Sequence, residues 1–331
     1  MVILAGPVRS RGRLEPWYCG DIIWTVYEFA GKLAVVTGGG SGIGRELVGQ
    51  LATHGCSVAT CDWNAAAVAE TVAMAEAGAP EGVHVSSHAC DVSDETQVQR
   101  FRDELLREHA ADHVDLVFSN AGIGGGASFI TSSREEWERT FAVDWWGTYY
   151  SARTFLPLLI ASGDGVLVTT SSVNGFWASL GPRMPNSAYA TAKFAVKGFT
   201  EGLIEDLRTN APQVRVVLVM PGHVGTDILA NTRRAHGTPE PEDMNAARIE
   251  VAFREKARLT AAAAATIILD GVRSGAWRIL VGEDAKALDA AVRARPEAAY
   301  DYAKLAMGTV KTAVEDRASS WLATVRSLFP S

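Results

Sequence analysis

The stretch Thr37-Gly38-Gly39-Gly40-Ser41-Gly42-Ile43-Gly44 follows the apolar run Leu33-Ala34-Val35-Val36 and precedes a helical pattern that begins at Arg45. This order predicts a strand, a glycine turn and a helix. Glycines let the backbone turn sharply and approach a ligand closely. The N-terminus of the following helix presents unpaired N–H groups and a positive dipole end. The stretch therefore predicts a phosphate site, and a pyrophosphate suits it.

The glycine spacing separates several kinds of phosphate site. The dinucleotide pattern G-x-G-x-x-G fails, because Ile43 stands where its third glycine would follow Gly38 and Gly40. A P-loop also fails, because Gly44 is followed by Arg and Glu rather than by Lys and Ser/Thr. The pattern that remains is Gly38-x-x-x-Gly42-x-Gly44. A glycine-rich turn without a ligand is the alternative, and the later motifs disfavour it.

Composition excludes two classes of partner. Of the 331 residues, 47% are hydrophobic and 21% are charged, as in an ordinary globular protein. No apolar run reaches roughly 18 residues, so no transmembrane span is expected. The formal net charge of −7 provides no basic surface for nucleic acid, so no nucleic-acid partner is expected.

Cysteine usage indicates a reducing compartment. Cys19, Cys56, Cys61 and Cys90 form no C-x-x-C pair, and no Cys/His cluster has zinc spacing. No metal is therefore expected. Cys61 and Cys90 fall in predicted buried strands, which favours reduced thiols and a cytoplasmic location.

Two appendages flank one predicted domain, residues 31–282. Residues 1–30 form an N-terminal extension, in which the order of apolar and basic residues does not fit a secretory signal. Residues 283–331 form a helical C-terminal tail, since Leu288, Val292 and other apolar residues recur at helical spacing. No internal repeat or low-complexity linker suggests a second domain.

An acidic residue ends the second predicted strand. Ser57-Val58-Ala59-Thr60-Cys61 leads into Asp62, which lies 18 residues beyond Gly44. In dinucleotide sites such a residue binds the adenosine ribose hydroxyls and repels a 2′-phosphate. Asp62 therefore predicts NAD as the cofactor. Its alternative role is to cap the helix that follows.

The ends of the later predicted strands carry further motifs. These are Asp91-Val92, Asn120-Ala121-Gly122, Ser172 and Pro221-Gly222. Tyr189 and Lys193 are four residues apart, which places them on one face of a helix. Y-x-x-x-K is weak by itself. Here Y-x-x-x-K follows the glycine turn, the N-A-G motif and the strand that ends in Ser172. This order of four motifs disfavours a chance match.

Together these motifs resemble the short-chain dehydrogenase/reductase family of the ordinary, non-extended type, over about residues 31–281. The resemblance implies an α/β fold, a Rossmann-type doubly wound parallel seven-stranded sheet of order 3-2-1-4-5-6-7 with helices on both faces. The alternation of predicted strands and helices agrees with it. Ligands of such sheets bind outside the carboxyl ends of the strands, where these motifs fall.

The resemblance implies four catalytic residues: Ser172, Tyr189, Lys193 and Asp144. Family members usually carry Asn where Asp144 stands, at a helix irregularity, where it helps to hold a water against the active-site lysine. Asp accepts a hydrogen bond but cannot donate as an amide does. An ionised Asp144 would favour the protonated form of Lys193. Alternatively, Asp144 is a local helix substitution without a role.

The resemblance also implies the cofactor contacts. Asp91 would meet the adenine amine, Asn120 would steady the central strands, and the backbone near Val224 with the Thr226 hydroxyl would meet the carboxamide. NADP-preferring members often carry a basic residue where Ser41 stands. The full set is Gly38, Gly40, Ser41, Gly42, Ile43, Gly44, Asp62, Asp91, Val92, Asn120, Ala121, Gly122, Tyr189, Lys193, Pro221, Gly222, Val224 and Thr226.

The expected function is NAD-dependent hydride transfer to or from a small-molecule secondary alcohol or ketone. The pKa of tyrosine is ordinarily about 10, too high for a base at neutral pH. A Lys193 ammonium would lower the pKa of Tyr189, while Ser172 holds the substrate oxygen. We read His223 as a turn residue that lines the pocket rather than as an essential acid or base.

The sequence suggests only the class of substrate and the type of assembly. Phe176, Trp177, Met184 and the polar, irregular segment 227–255 suggest a bulky apolar substrate. The resemblance implies a homodimer or homotetramer. A non-catalytic NAD-binding regulator or scaffold is the alternative from another class. The extended group of the family, which contains epimerases and dehydratases, uses a different glycine spacing. It fits this sequence less well than either an ordinary dehydrogenase or a non-catalytic NAD-binding protein.

Overall fold

The structure is a computed structural model that describes residues 26–238 and 244–301. The strands are β1 Leu33–Thr37, β2 Ser57–Asp62, β3 Val85–Ala89, β4 Leu116–Ser119, β5 Val166–Thr170, β6 Arg215–Pro221, β7 Val224–Gly225, β8 Leu259–Thr260 and β9 Arg278–Val281. The α-helices are α1 Gly42–Thr53, α2 Ala65–Gly78, α3 Glu95–Glu108, α4 Arg134–Phe141, α5 Gly147–Ser162, α6 Ser187–Asn210, α7 Ile228–Ala235, α8 Met244–Glu255, α9 Ala261–Arg273 and α10 Glu283–Ala294.

The strands form a seven-stranded parallel sheet of order β3-β2-β1-β4-β5-β6-β9. β7 and β8 pair only with each other, so β9 is the seventh strand of the main sheet. The predicted order 3-2-1-4-5-6-7 is thus confirmed. β1 is an interior strand, because Val35 lies beside Ala59 of β2 on one side and Val117 of β4 on the other.

Helices cover both faces of the sheet. Neighbouring residues of a strand point to opposite faces, and Val36 belongs to the apolar cluster that includes Leu47 of α1. Val35 belongs to the other cluster, with Phe101 of α3 and Phe155 of α5. Strands buried on both faces explain the continuous apolar runs in the sequence.

The start of the described chain packs on this core. Tyr27 and Phe29 are 3% and 1% exposed. The Tyr27 N–H donates to the Arg273 carbonyl at 3.0 Å, and the Arg215 guanidinium lies 4.3 Å from the Tyr27 ring centroid. The described part of residues 1–30 therefore caps the domain, whereas residues 1–25 lie outside the described chain.

Segment 227–255 was predicted to be irregular, and this prediction was wrong. It contains α7 and α8. An ion pair of 2.9 Å between Arg233 and Glu250 joins the two helices. The two prolines that suggested irregularity, Pro239 and Pro241, fall in the gap between the helices, outside the described residues.

The described part of the C-terminal tail is helical. It comprises α10 and a 3-10 turn, Pro296–Ala298. Residues 302–331 of the predicted tail lie outside the described chain. None of the helices in the described ranges is long and apolar enough to cross a membrane.

Gly44 and Gly49 of α1 allow a test of how closely the glycine turn packs against its neighbours. A Cβ at position 44 would overlap the carbonyl oxygen of Gly38 and lie 2.8 Å from Asn120 Nδ2, whereas a Cβ at position 49 meets nothing within 4 Å. We expect Gly44→Ala to lower the free energy of unfolding by about 1–3 kcal/mol and to weaken binding of the expected dinucleotide cofactor at least about tenfold. The matched control Gly49→Ala should stabilise by about 0.5–1 kcal/mol. Urea unfolding measures the stability and calorimetric titration the affinity for the cofactor, and equal cofactor affinity in the two variants would contradict the packing argument.

Candidate active site

One cleft opens at the carboxyl ends of the central strands. Its volume is about 1840 Å³, beyond the roughly 300–1,000 Å³ of a pocket for one drug-sized ligand. Two predicted residues, Gly44 and Asp144, lie beneath its surface. The other predicted site residues line it: Gly38, Gly40, Ser41, Gly42, Ile43, Asp62, Asp91, Val92, Asn120, Ala121, Gly122, Ser172, Tyr189, Lys193, Pro221, Gly222, Val224 and Thr226.

The glycine turn is fixed between the strands on either side of β1. Gly38 has a φ of +71°, a conformation that favours glycine, and its N–H donates to the Cys61 carbonyl at 2.8 Å. On the other side, the Thr37 hydroxyl accepts hydrogen bonds from the N–H groups of Asn120 (3.0 Å) and Ala121 (3.1 Å). These contacts hold the N-A-G loop against the turn.

Asp62 stands beside the glycine turn. Its carboxylate accepts from the Gly40 N–H at 3.0 Å and from the Asn64 N–H at 2.9 Å. Burial raises the pKa of Asp62. The side chain that caps α2 is that of Asn64, which accepts from the Ala67 N–H. Asp62 is therefore not the cap of α2.

Arg45 lines the same part of the cleft, and the sequence reasoning did not single it out. Its Nη2 donates to the Gly40 carbonyl at 2.7 Å and to Glu70 at 2.9 Å. The signal was available, because Arg45 directly follows the last glycine of the turn. It brings a positive charge close to Asp62.

Asp91 forms a hydrogen bond and an ion pair with neighbouring side chains. Its carboxylate accepts from the Ser93 hydroxyl at 2.7 Å and pairs with Arg139 of α4 at 2.8 Å. Burial opposes ionisation, but the hydrogen bonds from Ser93 and Arg139 outweigh it and lower the pKa of Asp91. The adenine contact of Asp91 stays a prediction.

The three residues of the predicted catalytic set that line the cleft come from two elements. Ser172 follows β5, and its Oγ accepts from the Asn174 N–H at 3.1 Å. Tyr189 and Lys193 lie one turn apart on α6, with Lys193 Nζ 5.4 Å from the Tyr189 ring centroid. The ammonium also donates to the Thr170 carbonyl at 3.2 Å. The structure thus brings hydroxyl, phenol and ammonium groups together.

Asp144 contacts Lys193 directly. A π-helical turn, Ala142–Trp146, joins α4 to α5 and directs Asp144 inward, so the predicted irregularity in the helix is present. Its Oδ1 lies 3.1 Å from Lys193 Nζ, and the two side chains are 0% and 3% exposed. Oδ1 also accepts from the Ile123 N–H at 3.1 Å. A Cβ at position 122 would lie 2.6 Å from Oδ1, so Gly122 makes room for the pair.

Burial shifts the pKa values of Asp144, Lys193 and Tyr189. It raises the pKa of Asp144 to about 6, although Lys193 opposes the shift. Burial lowers the pKa of Lys193, but Asp144 and Tyr189 reverse this and raise it. For Tyr189, burial and Asp144 raise the pKa more than Lys193 and Ser172 lower it. The sequence predicted that Lys193 lowers the pKa of Tyr189, and it does, but the net shift of the Tyr189 pKa is upward.

The predicted apolar lining is correct only in part. Met184 lines the cleft, but Phe176 and Trp177 do not. Trp177 is fully buried, and its indole N–H donates to the Ala299 carbonyl at 2.7 Å. Apolar character in the sequence could not distinguish a cleft wall from packing against the tail. His223 lines the cleft as predicted, with Nε2 2.8 Å from the Phe253 carbonyl oxygen.

Helix α7, in the segment 227–255 that the family resemblance assigns to covering the substrate, lines the cleft; two of its contacts were not predicted from the sequence. Asn231 donates to the Ser41 hydroxyl at 2.8 Å. One residue later, the Thr232 hydroxyl accepts from the Gly124 N–H at 2.6 Å. No motif in the sequence indicates these contacts, because both partners are distant in the chain.

Comparison with known proteins identifies the family. The family model for short chain dehydrogenases matches residues 32–237. The Mycobacterium tuberculosis protein SadH, whose name describes an oxidoreductase, is 37% identical over 265 residues, which are 80% of this chain and 91% of SadH.

Solved structures agree. A short-chain dehydrogenase/reductase from Burkholderia phymatum in complex with NAD has a TM-score of 0.71 and 31% identity, covering 82% of this chain and 95% of its own. A metagenomic short-chain oxidoreductase in complex with NADP has a TM-score of 0.52 and 30% identity, covering 59% of this chain and 84% of its own. The chain belongs to the short-chain dehydrogenase/reductase family.

Proposed function

We propose that this protein transfers a hydride between NAD and a secondary alcohol or ketone, with Tyr189 as acid and base. The observation that supports this most is the convergence of Ser172, Tyr189 and Lys193 in the same cleft as the glycine turn. A cleft that combines a phosphate turn with a phenol beside an ammonium suits alcohol chemistry.

The residues of the turn fit a dinucleotide. Ser41 precedes α1 without making a side-chain cap, and the first turn of α1 contains no acidic residue. The N–H groups at this helix end therefore remain available for phosphate oxygens. A Cβ at position 40 would lie 2.9 Å from the Asp62 carboxylate, so glycine keeps the backbone close to that side chain. The bound NAD would accept or supply the hydride.

The protein's own groups handle the proton. Ser172 would donate a hydrogen bond to the substrate oxygen and hold it beside Tyr189. Because the pKa of Tyr189 is raised, the phenol keeps its proton and is ready to donate to a ketone oxygen. In oxidation, the Lys193 ammonium favours the phenolate that takes the alcohol proton. Asp144 holds that ammonium in place at 3.1 Å.

The lining supports a bulky apolar substrate. Apolar side chains from four separate parts of the chain line the cleft together with Ser172 and Tyr189. These apolar side chains are those of Ile123, Leu180, Met184, Leu229 and Phe253. Burial of such a substrate contributes about 25 cal/mol for each Å² of apolar surface removed from water.

Exposed apolar side chains on α5, on α6 and in the π-helical turn before α5 support a homodimer or homotetramer. Trp146, Ile160 and Phe194 are 41%, 38% and 41% exposed. Large apolar side chains, the aromatic ones above all, are common at protein interfaces. A cytoplasmic location is supported by the described cysteines, which are free and buried.

The acid–base assignment is tested by Tyr189→Phe. We expect at least about a thousandfold loss of kcat, because the phenol is the only group proposed to move the proton. NAD affinity should change less than about threefold. Absorbance of reduced nicotinamide with a panel of secondary alcohols measures turnover, and Tyr150→Phe, outside the cleft, is the matched control. Unchanged turnover would contradict the assignment. NAD binding without turnover by the wild type would favour the scaffold alternative.

The cofactor assignment is tested by comparing NAD with NADP. The Asp62 carboxylate would repel a 2′-phosphate, so we expect kcat/KM to favour NAD at least about tenfold. Asp62→Ala should remove most of this preference, because it takes away the carboxylate that would repel the 2′-phosphate while Arg45 remains in the cleft. Asp103→Asn, on the exposed side of α3, should leave the ratio unchanged. A wild-type preference for NADP would contradict the assignment.

The buried ion pair gives stability a distinctive pH dependence. The pKa of Asp144 is about 6 in the folded state and about 3.9 in an unfolded chain. A raised pKa means that its contribution to stability is complete below about pH 4 and is lost as the pH rises through about 6. Relative to Asp144→Asn, the wild type should therefore lose up to about 3 kcal/mol of unfolding free energy over that range.

Asp289 provides the control, because its contribution to stability should change with pH in the opposite direction. Hydrogen bonds from Arg278 and Arg293 outweigh burial and lower the pKa of Asp289. Relative to Asp289→Asn, the wild type should gain stability as the pH rises from acid. Urea unfolding at several pH values measures both differences. A wild-type to Asp144→Asn difference that does not vary with pH would contradict the argument.

A further inference from the structure

The C-terminal segment 283–301 lies beyond residues 32–237, which match the family model, and it contacts the cleft walls from behind at two places. We propose that this segment positions the active site: Ala299 and Tyr300, through their contacts with Trp177 and Ala178, hold the loop of Ser172, and Asp284 holds the turn at Pro221-Gly222. The proposal rests on the proposed function, since it assigns Ser172 a part in turnover.

The loop after Ser172 is tied together by one asparagine. The Asn174 N–H donates to Ser172 Oγ at 3.1 Å. Its side-chain amide donates to the carbonyl oxygens of Trp177 at 2.9 Å and of Ser179 at 2.8 Å. Asn174 is itself 4% exposed. The direction of the serine hydroxyl therefore depends on where the backbone of Trp177 is held.

The C-terminal segment holds that backbone. The indole N–H of Trp177 donates to the Ala299 carbonyl at 2.7 Å, and the Ala178 N–H donates to the Tyr300 hydroxyl at 3.1 Å. Leu288 and Val292 of α10 pack against Trp177 and Ala299. Trp177 is fully buried, so its ring cannot shift without moving α10.

An ion-pair group anchors α10 to the sheet. Asp289 accepts two hydrogen bonds from Arg278 of β9, at 2.6 and 3.0 Å, and one from Arg293 at 2.9 Å. Bidentate arginine–carboxylate pairs fix geometry more strongly than single contacts do. Asp289 therefore ties α10 to β9.

The second contact reaches the other side of the cleft. Asp284 Oδ2 accepts from the His223 N–H at 2.7 Å. A Cβ at position 222 would overlap the same carboxylate, so Gly222 permits this approach. The Gly222 N–H donates to the Val281 carbonyl at 2.9 Å, just before α10. The turn predicted to meet the nicotinamide is thus held by a residue of α10.

A simple structural role for the segment would lower stability alone. A positioning role also changes kinetics, and differently at the two contacts. Tyr300→Phe removes one hydroxyl and keeps the ring, whereas Trp177→Phe removes the indole N–H and leaves a smaller aromatic ring. We expect each to lower kcat about tenfold with unchanged NAD affinity. Asp284→Asn should instead weaken NAD binding about tenfold.

The experiment uses the full chain, NAD and the most rapidly oxidised member of a panel of cyclic and aromatic secondary alcohols. Kinetics at saturating NAD give kcat, and calorimetric titration gives the dissociation constant of NAD. Trp277→Phe is the matched control, because the Trp277 side chain is 49% exposed and should leave both values unchanged. If Trp177→Phe does not fold, Tyr300→Phe carries the same test.

A double-mutant cycle with Ser172→Ala separates positioning from general destabilisation. If Trp177 and Tyr300 act through Ser172, their substitution should lower the residual rate of Ser172→Ala less than about twofold. A full tenfold loss in that background, or normal kcat in both ring variants, overturns the proposal. Wild-type activity in Ser172→Ala would instead show that the proposed function is wrong, and the positioning proposal with it.

Discussion

The cleft depends on one constraint, the parallel pairing of β1 with β2 on one side and β4 on the other. After β1 the chain turns through the glycines into α1, while β4 continues into the N-A-G loop. The Thr37 hydroxyl bonds that loop at 3.0 and 3.1 Å. Because connections leave β1 and β4 toward opposite faces, a crevice remains between them. All the lining residues discussed above stand around that crevice.

At the back of the crevice lies a second constraint, the buried contact between Asp144 and Lys193. Charges removed from water are costly, and removing one partner of a buried pair typically costs about 3–5 kcal/mol. The pair keeps the ammonium charged beneath Tyr189, yet the carboxylate raises the pKa of the same phenol that the ammonium lowers. Asp at this position therefore moves the phenol toward its protonated state, which suits the donation of a proton to a ketone. A neutral amide at position 144 would leave Lys193 without an opposing charge.

Much of the fold followed from the sequence, because strand periodicity and turn residues are local properties. The motifs in their order carry a family resemblance, and that resemblance implied the strand order, the helix irregularity at Asp144 and the cleft position of the glycine turn, Ser172, Tyr189 and Lys193. Contacts between distant segments were missed. Trp177 looked like a cleft wall and is instead bound to Ala299, while Asn231 reaches Ser41 across 190 residues. The helices of segment 227–255 were also missed, because its prolines fall between them. Net pKa directions depend on burial, which no motif encodes.

The central claim is direct hydride transfer within this cleft, governed by Tyr189. A secondary alcohol carrying deuterium on its carbinol carbon, incubated with NAD and the protein, tests this claim most directly. Mass spectrometry of the reduced nicotinamide should find one deuterium per turnover with the wild type and no detectable transfer with Tyr189→Phe. Label released to solvent, or equal transfer by both proteins, would contradict the account.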